Sequence, residues 1–149
     1  MALRIEVLSA DELFQRTQAE PANKDLFTTR MVGDRKVRRL HYLNHDDARH
    51  QTQIVLYEGA RIVGAAGLQI NPWQTENVWV QHVSVEEAYR GKGFAAKLIE
   101  AVYAYAVDNK LKVEPSAFSA LGQRLKHIFD RFDALHPQAA CGQPHRDHF

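Results

Sequence analysis

The chain is poor in the features that would set it apart from an ordinary globular domain. It has a single cysteine, Cys141, so no internal disulfide framework can staple it, and a reducing compartment is expected. With five prolines and eight glycines it holds no collagen-like or low-complexity segment. No apolar run approaches the roughly 20 residues that cross a bilayer. The opening Met1-Ala2-Leu3-Arg4-Ile5-Glu6 lacks the basic-then-apolar layout of a signal peptide. A cytoplasmic chain with no membrane partner is therefore expected. A large excess of either sign of charge is missing too: 19 Lys and Arg face 18 Asp and Glu, a net charge of +1, so the total does not favour nucleic acid as a partner. What remains is 149 residues, 45% of them hydrophobic, enough for one core. The expectation is a single domain over residues 1–149, with a patternless and mobile tail from about Pro137.

Periodicity gives the order of elements. Leu3, Ile5 and Val7 alternate with Arg4 and Glu6, which reads as a short strand with one buried face. Ser9 followed by Glu12 is a capping box, predicting a helix from Ala10 to about Ala19 that stops before Pro21. Val37, Leu40, His41 and Leu43 suggest one face of a helix, with Arg35, Lys36, Arg38 and Arg39 around it. Gln53–Tyr57 and Arg61–Ile70, joined by Glu58-Gly59-Ala60, read as a hairpin. Asn77–Val85 is a further strand, expected to be central because a helix follows it directly. Phe94, Leu98, Val102 and Tyr105 then recur at helical spacing. Leu111–Val113 is a short strand. Ser116 or Ser119 caps a last helix whose Leu121, Leu125, Ile128 and Phe132 form one face. An antiparallel meander followed by strand–helix–strand is an α/β or mixed α+β three-layer domain.

The informative junction is Val83-Ser84-Val85-Glu86-Glu87-Ala88-Tyr89-Arg90-Gly91-Lys92-Gly93-Phe94-Ala95. Two glycines and a small alanine stand where a helix begins, so the backbone can turn sharply and approach a ligand closely. The first N–H groups of that helix lack internal partners and lie at the positive end of its dipole. Arg90 and Lys92 add positive charge. The result is an anion cradle at the carboxyl end of a strand, where open sheets bind ligands. It is neither a Walker loop nor a dinucleotide GxGxxG turn.

These residues resemble the GNAT (GCN5-related N-acetyltransferase) superfamily, whose signature Arg/Gln-x-x-Gly-x-Gly/Ala is matched by Arg90-x-x-Gly93-x-Ala95. The strand and turn Val83-Ser84-Val85…Tyr89-Arg90-Gly91-Lys92-Gly93 and the hairpin with Ile62-Val63-Gly64 are similar as well. The resemblance is strong from about Gln53 to Asn109 and poor after Val113. It implies a mostly antiparallel mixed sheet with helices on both faces, and transfer of an acetyl group from acetyl-coenzyme A to a primary amine by direct attack. It implies that the backbone from Arg90 through Gly91, Lys92, Gly93 and Phe94 to Ala95 holds the pyrophosphate. Strand residues Val83, Ser84 and Val85 would meet the pantetheine arm, and the Val83 N–H would polarise the carbonyl. No metal is implied.

For the general base the resemblance points to positions held here by Trp79 and Gln81, neither of which can act as one. Glu76, near the strand entrance, and His82, in mid-strand, are the candidates. Strict alternation sets His82 on the face opposite Gln81, Val83 and Val85, so it reaches the site only through a bulge that changes the parity. The family often protonates the leaving sulfur with a tyrosine on the last helix. Residues 119–133 hold no tyrosine, and His127 is the only group there that titrates near neutrality. That departure motivates an alternative reading, a binding or inhibitor module with little or no turnover.

Other features have plainer readings. Arg30, Arg35, Lys36, Arg38 and Arg39 stand near Asp25, Asp34, Asp46 and Asp47, the pattern of a solvated face. His41, Tyr42 and His45 could line the acceptor entrance, and Trp73 with Trp79 could wall it. The acceptors left open are a protein lysine or N-terminus, a small amine, and an aminoacyl group on tRNA. His136, Cys141, His145 and His148 follow no zinc spacing. An open edge strand would permit a homodimer.

Overall fold

The structure, a computed structural model, describes residues 2–40, 52–115 and 120–141. Five strands form one sheet in the order β1-β4-β5-β6-β7, built from β1 (Leu3–Ser9), β4 (Thr52–Glu58), β5 (Arg61–Ile70), β6 (Asn77–Val85) and β7 (Lys112–Pro115). Neighbours are antiparallel except β6 and β7, which are parallel. The helices are α1 (Ala10–Ala19), α2 (Phe94–Asp108) and α3 (Ala120–Leu135). On one sheet face Ile54, Leu56, Val63, Ala66 and Leu68 pack with Leu98, Ile99 and Val102 of α2 and with Phe129 and Phe132 of α3. On the other, Val55, Tyr57, Ile62 and Ala65 pack with Leu8 and with Leu13 of α1. This is the expected mixed sheet with helices on both faces. Among the described residues no helix is long and apolar enough to cross a membrane.

Locally encoded elements match the sequence reading. The capping box is complete: Ser9 N–H donates to Glu12 Oε1 at 3.0 Å and Glu12 N–H donates to Ser9 Oγ at 3.1 Å. The Ser9 bonds hold the Glu12 carboxyl below the usual range. Gly64 shows why α2 can lie directly on β5. A Cβ there would stand 3.0 Å from Leu98 Cδ1 and 3.0 Å from the Ser84 carbonyl oxygen. Gly64→Val is therefore expected to cost about 2 kcal/mol through overpacking, read as a lower urea midpoint at unchanged slope.

Four expectations need correction. Residues 35–40 are a strand, not a helical face: β2 (Phe27–Val32) and β3 (Arg35–Leu40) form a separate antiparallel hairpin. Its two-residue Gly33-Asp34 loop, with Gly33 at φ +61°, turns the chain before any helix can form. His41, Tyr42, Leu43 and His45 lie outside the described residues, as do Ser116, Ser119, His145 and His148. The middle of the sheet is β5, and β6 stands one place off centre. Of the expected tail, residues 137–141 are packed: Ala139 is buried and Ala140 bridges Val113 in parallel. Finally, Leu3, Ile5 and Val7 alternate as read, but they are 38%, 40% and 50% exposed. The buried residue of β1 is Leu8, on the opposite face.

Candidate active site

The site begins with a fault in β6. Its register against β5 runs Val85↔Gly64, Ser84↔Ala65, Val83↔Ala66 and His82↔Gly67, then steps to Val80↔Leu68. Gln81 is thus an extra residue, a β-bulge that shifts the strand's parity. Val78 and Val80 before it, and Val83 and Val85 after it, all enter the α2-side core. His82 pairs with Gly67, between the core residues Ala66 and Leu68, so the imidazole stands on the other face, the face of Ala65 and α1. Trp79, opposite Gln69, and Ser84, opposite Ala65, share that face. Gln81 joins them by donating from Nε2 to Gln69 Oε1 at 2.5 Å.

Among the described residues, β6 pairs with β7 from Asn77↔Lys112 to Val80↔Pro115 and has no strand partner on that side beyond the bulge. Glu86 N–H donates to the Val63 carbonyl at 2.8 Å, so by alternation Ser84 turns its backbone toward β5 while Val83 and Val85 turn theirs to the edge β7 does not reach. The structure therefore sets Ser84 apart from Val83 and Val85.

That open edge leads into the glycine turn. Gly91 and Gly93 have φ of +82° and +79°, values L side chains rarely adopt. A Cβ at either would meet nothing within 4 Å, so it is backbone conformation that selects glycine here. The first bond into α2 runs from Lys97 N–H to the Gly93 carbonyl at 3.2 Å, leaving the N–H groups of residues 91–96 ahead of it. Gly93 is the cap, no side chain caps it, and the first turn contains no acid. Arg90 Nε donates to the Val85 carbonyl at 3.0 Å, bracing the turn against the strand end. Lys92 Nζ lies 5.3 Å from the centroid of the Tyr89 ring. Phe94 is buried in the core and Ala95 half-buried, so they offer the cradle their backbone.

Two supports escaped the sequence reading. Arg61 donates from Nε to Glu86 Oε2 at 3.1 Å and from Nη2 to the other Glu86 oxygen, fixing the root of the turn. It also reaches Asp25 Oδ1 at 2.6 Å and the Ala22 carbonyl at 2.5 Å, and Glu86 and Asp25 together raise its pKa further. The second is Glu114 on β7, a fully buried carboxyl group. It accepts from Asn71 Nδ2 at 3.0 Å, Asn77 Nδ2 at 2.5 Å and Trp79 Nε1 at 2.7 Å. Both supports join residues 25 to 43 positions apart in the chain, beyond any local pattern.

The other predicted residues fall as follows. Glu76 is exposed in the turn before β6; it lies five positions before Gln81, about 16 Å along an extended chain. The structure does not bring it to the bulge. Trp73 is 74% exposed, its ring 5.7 Å from that of Trp79. The described length of α3 holds no tyrosine, and His127 is exposed. Tyr103 of α2 donates instead to Asp133 Oδ1 at 2.5 Å, and burial raises its pKa. His136 stacks on Tyr103 and Phe132, and Cys141 Sγ accepts from Asn77 at 3.7 Å.

Among the described residues, an unpaired strand edge thus runs into an uncapped helix start, a geometry suited to a ligand with an extended arm and an anionic end. The model of the acetyltransferase (GNAT) family matches residues 13–122, and the chain belongs to that family. No curated protein matches it in sequence. Its fold is similar to that of the IAA acetyltransferase from Bacillus cereus ATCC 14579, at 15% identity over 88% of this chain and 75% of that one, TM-score 0.54. It is similar to the ribosomal-protein-S18-alanine N-acetyltransferase from Escherichia coli, at 11% identity over 88% and 76%, TM-score 0.52. A third is an aminoglycoside acetyltransferase from an uncultured soil metagenomic sample, in complex with trehalose, at 15% identity over 99% and 93%, TM-score 0.53.

Proposed function

We propose that the chain transfers an acetyl group from acetyl-coenzyme A to a primary amine by direct attack. The observation that carries this reading is the junction of the Val83–Val85 edge with the uncapped start of α2. The pyrophosphate would sit on N–H groups from Gly91 to Ala95, with Arg90 and Lys92 beside it, and the pantetheine arm would pair along Val83 and Val85 as an added strand. The Val83 N–H would then face the thioester oxygen. The amine nitrogen forms the new C–N bond, the C–S bond breaks, and coenzyme A leaves as thiolate and takes a proton from solvent. His82, on the face of Trp79, receives the amine proton, directly or through water. Glu76 drops out of this scheme because of its distance from the bulge.

The acceptor enters on the α1 face of β6, past Trp79, Gln69 and Gln81. The lack of a tyrosine on the described part of α3 favours a second reading, in which coenzyme A is bound but not turned over. Calorimetry with acetyl-coenzyme A, followed by free-thiol release in the presence of protein and small amines, tests both. One-to-one binding with amine-dependent thiol release, slowed in His82→Ala at unchanged binding, supports the transferase. Binding without release under any amine moves the assignment to the second reading, and absence of binding removes both.

A further inference from the structure

We propose that β1 is the seam of a homodimer, in which two copies join their sheets edge to edge about a twofold axis through Ile5. Three observations converge on this strand. It is the end strand of the sheet and pairs with β4 over seven uninterrupted residues, Leu3↔Glu58 to Ser9↔Thr52. Along the edge that no described strand pairs, it contains no proline, bulge or lysine, devices that keep edge strands apart. Its exposed Leu3, Ile5 and Val7 continue the apolar face whose next row, Ile54 and Leu56, is fully buried beneath the helices. The apolar layer thus runs past the cover that the described residues provide.

The pattern of β1 commits to a second copy and to one register. An antiparallel pair centred on Ile5 sets Leu3 against Val7 of the other copy and Ile5 against Ile5, all on one face. On the other face it sets Arg4 against Glu6, twice by symmetry. Moving the axis to Arg4 would oppose two arginines, and moving it to Glu6 would oppose two glutamates. Placing it between residues would pair apolar with charged positions, because a one-residue slip reverses the faces. Only the Ile5 register satisfies both faces, which is the self-complementarity an isologous interface requires. Arg4 is exposed, its guanidinium 4.2 Å from the Tyr57 ring centroid, and Glu6 is half-buried beside Tyr57 with its carboxylate 3.7 Å from Arg16 Nε, so the Arg4 side of each pair supplies the reach.

Sedimentation velocity on the full chain tests the seam. The expected result is a species of twice the 17.0 kDa chain mass that dissociates on dilution. Arg4→Glu or Glu6→Arg alone should weaken it by on the order of tenfold, by turning two attractive cross-strand pairs repulsive, and Arg4→Glu combined with Glu6→Arg should restore it. Ile5→Cys in a Cys141→Ser background should cross-link to itself under mild oxidation, whereas Leu3→Cys should not. A monomer at every concentration overturns the proposal. So does a dimer that ignores the single charge reversals, or one that the double reversal fails to rescue. None of these readings depends on acetyl transfer.

Discussion

Arg90→Glu is expected to weaken acetyl-coenzyme A binding by about 100-fold, or roughly 3 kcal/mol, with little change in melting temperature. The side chain is exposed, so the fold has little to lose. Its Nε bond to the Val85 carbonyl, however, ties the start of the glycine turn to the end of β6. Glutamate sets a carboxylate against that carbonyl and against the phosphates. Two effects act together: the cradle loses its brace, and the ligand meets like charge. Arg90→Gln separates them, since a carboxamide can still donate to the carbonyl but brings no charge; a loss of about tenfold is expected. Titration calorimetry of the two variants beside the parent reads both. Equal affinity of Arg90→Glu and the parent would remove the anion site from this turn.

The second large effect is on stability. Glu114→Ala is expected to cost about 3 kcal/mol, because the donors of Asn71, Asn77 and Trp79 would lose their common acceptor in a fully buried place. For a domain of this size that lowers the melting temperature by about 10 °C. Glu114→Gln should lose less but not nothing, since its amide group would confront one of the same donors. Tryptophan emission is the second readout: the freed Trp79 indole should change its spectrum, and the exposed Trp73 tilted against it should move with it. A melting temperature unchanged in Glu114→Ala would mean that the network contributes nothing net.

What could be read from the sequence was what is encoded within a few residues. The Ser9–Glu12 box, the β5 and β6 strands and the start of α2 at Gly93-Phe94 are each fixed by neighbours in the chain. The Gly33-Asp34 turn was equally local, but the helical spacing of Val37 and Leu40 competed with it and obscured the β2–β3 hairpin. The bulge also left a trace. Val78 and Val80 alternate, then Val83 and Val85 alternate one residue out of step, which is how an extra residue registers in a half-buried strand. Read that way, the pattern sets His82 on Trp79's face without a structure. Glu114 could not be found so, since β7 is a parallel partner whose register depends on the whole α2 crossover. Alternation in β1 gave the apolar face correctly but not its exposure, because the extent of the helical layer is a tertiary property.

Arg61 has a consequence for the order of events at the site. One planar guanidinium is bonded at once to Glu86, which roots the glycine turn, and to Asp25 and the Ala22 carbonyl, which lie just ahead of the β2–β3 hairpin. One rigid fork, rather than a flexible tether, therefore joins the glycine turn to residues 22–25. A displacement of Glu86 on cofactor loading would be passed to the segment that leads into the hairpin. By thermodynamic reciprocity, whatever fixes that segment would change cofactor affinity by the same factor that the cofactor changes its order.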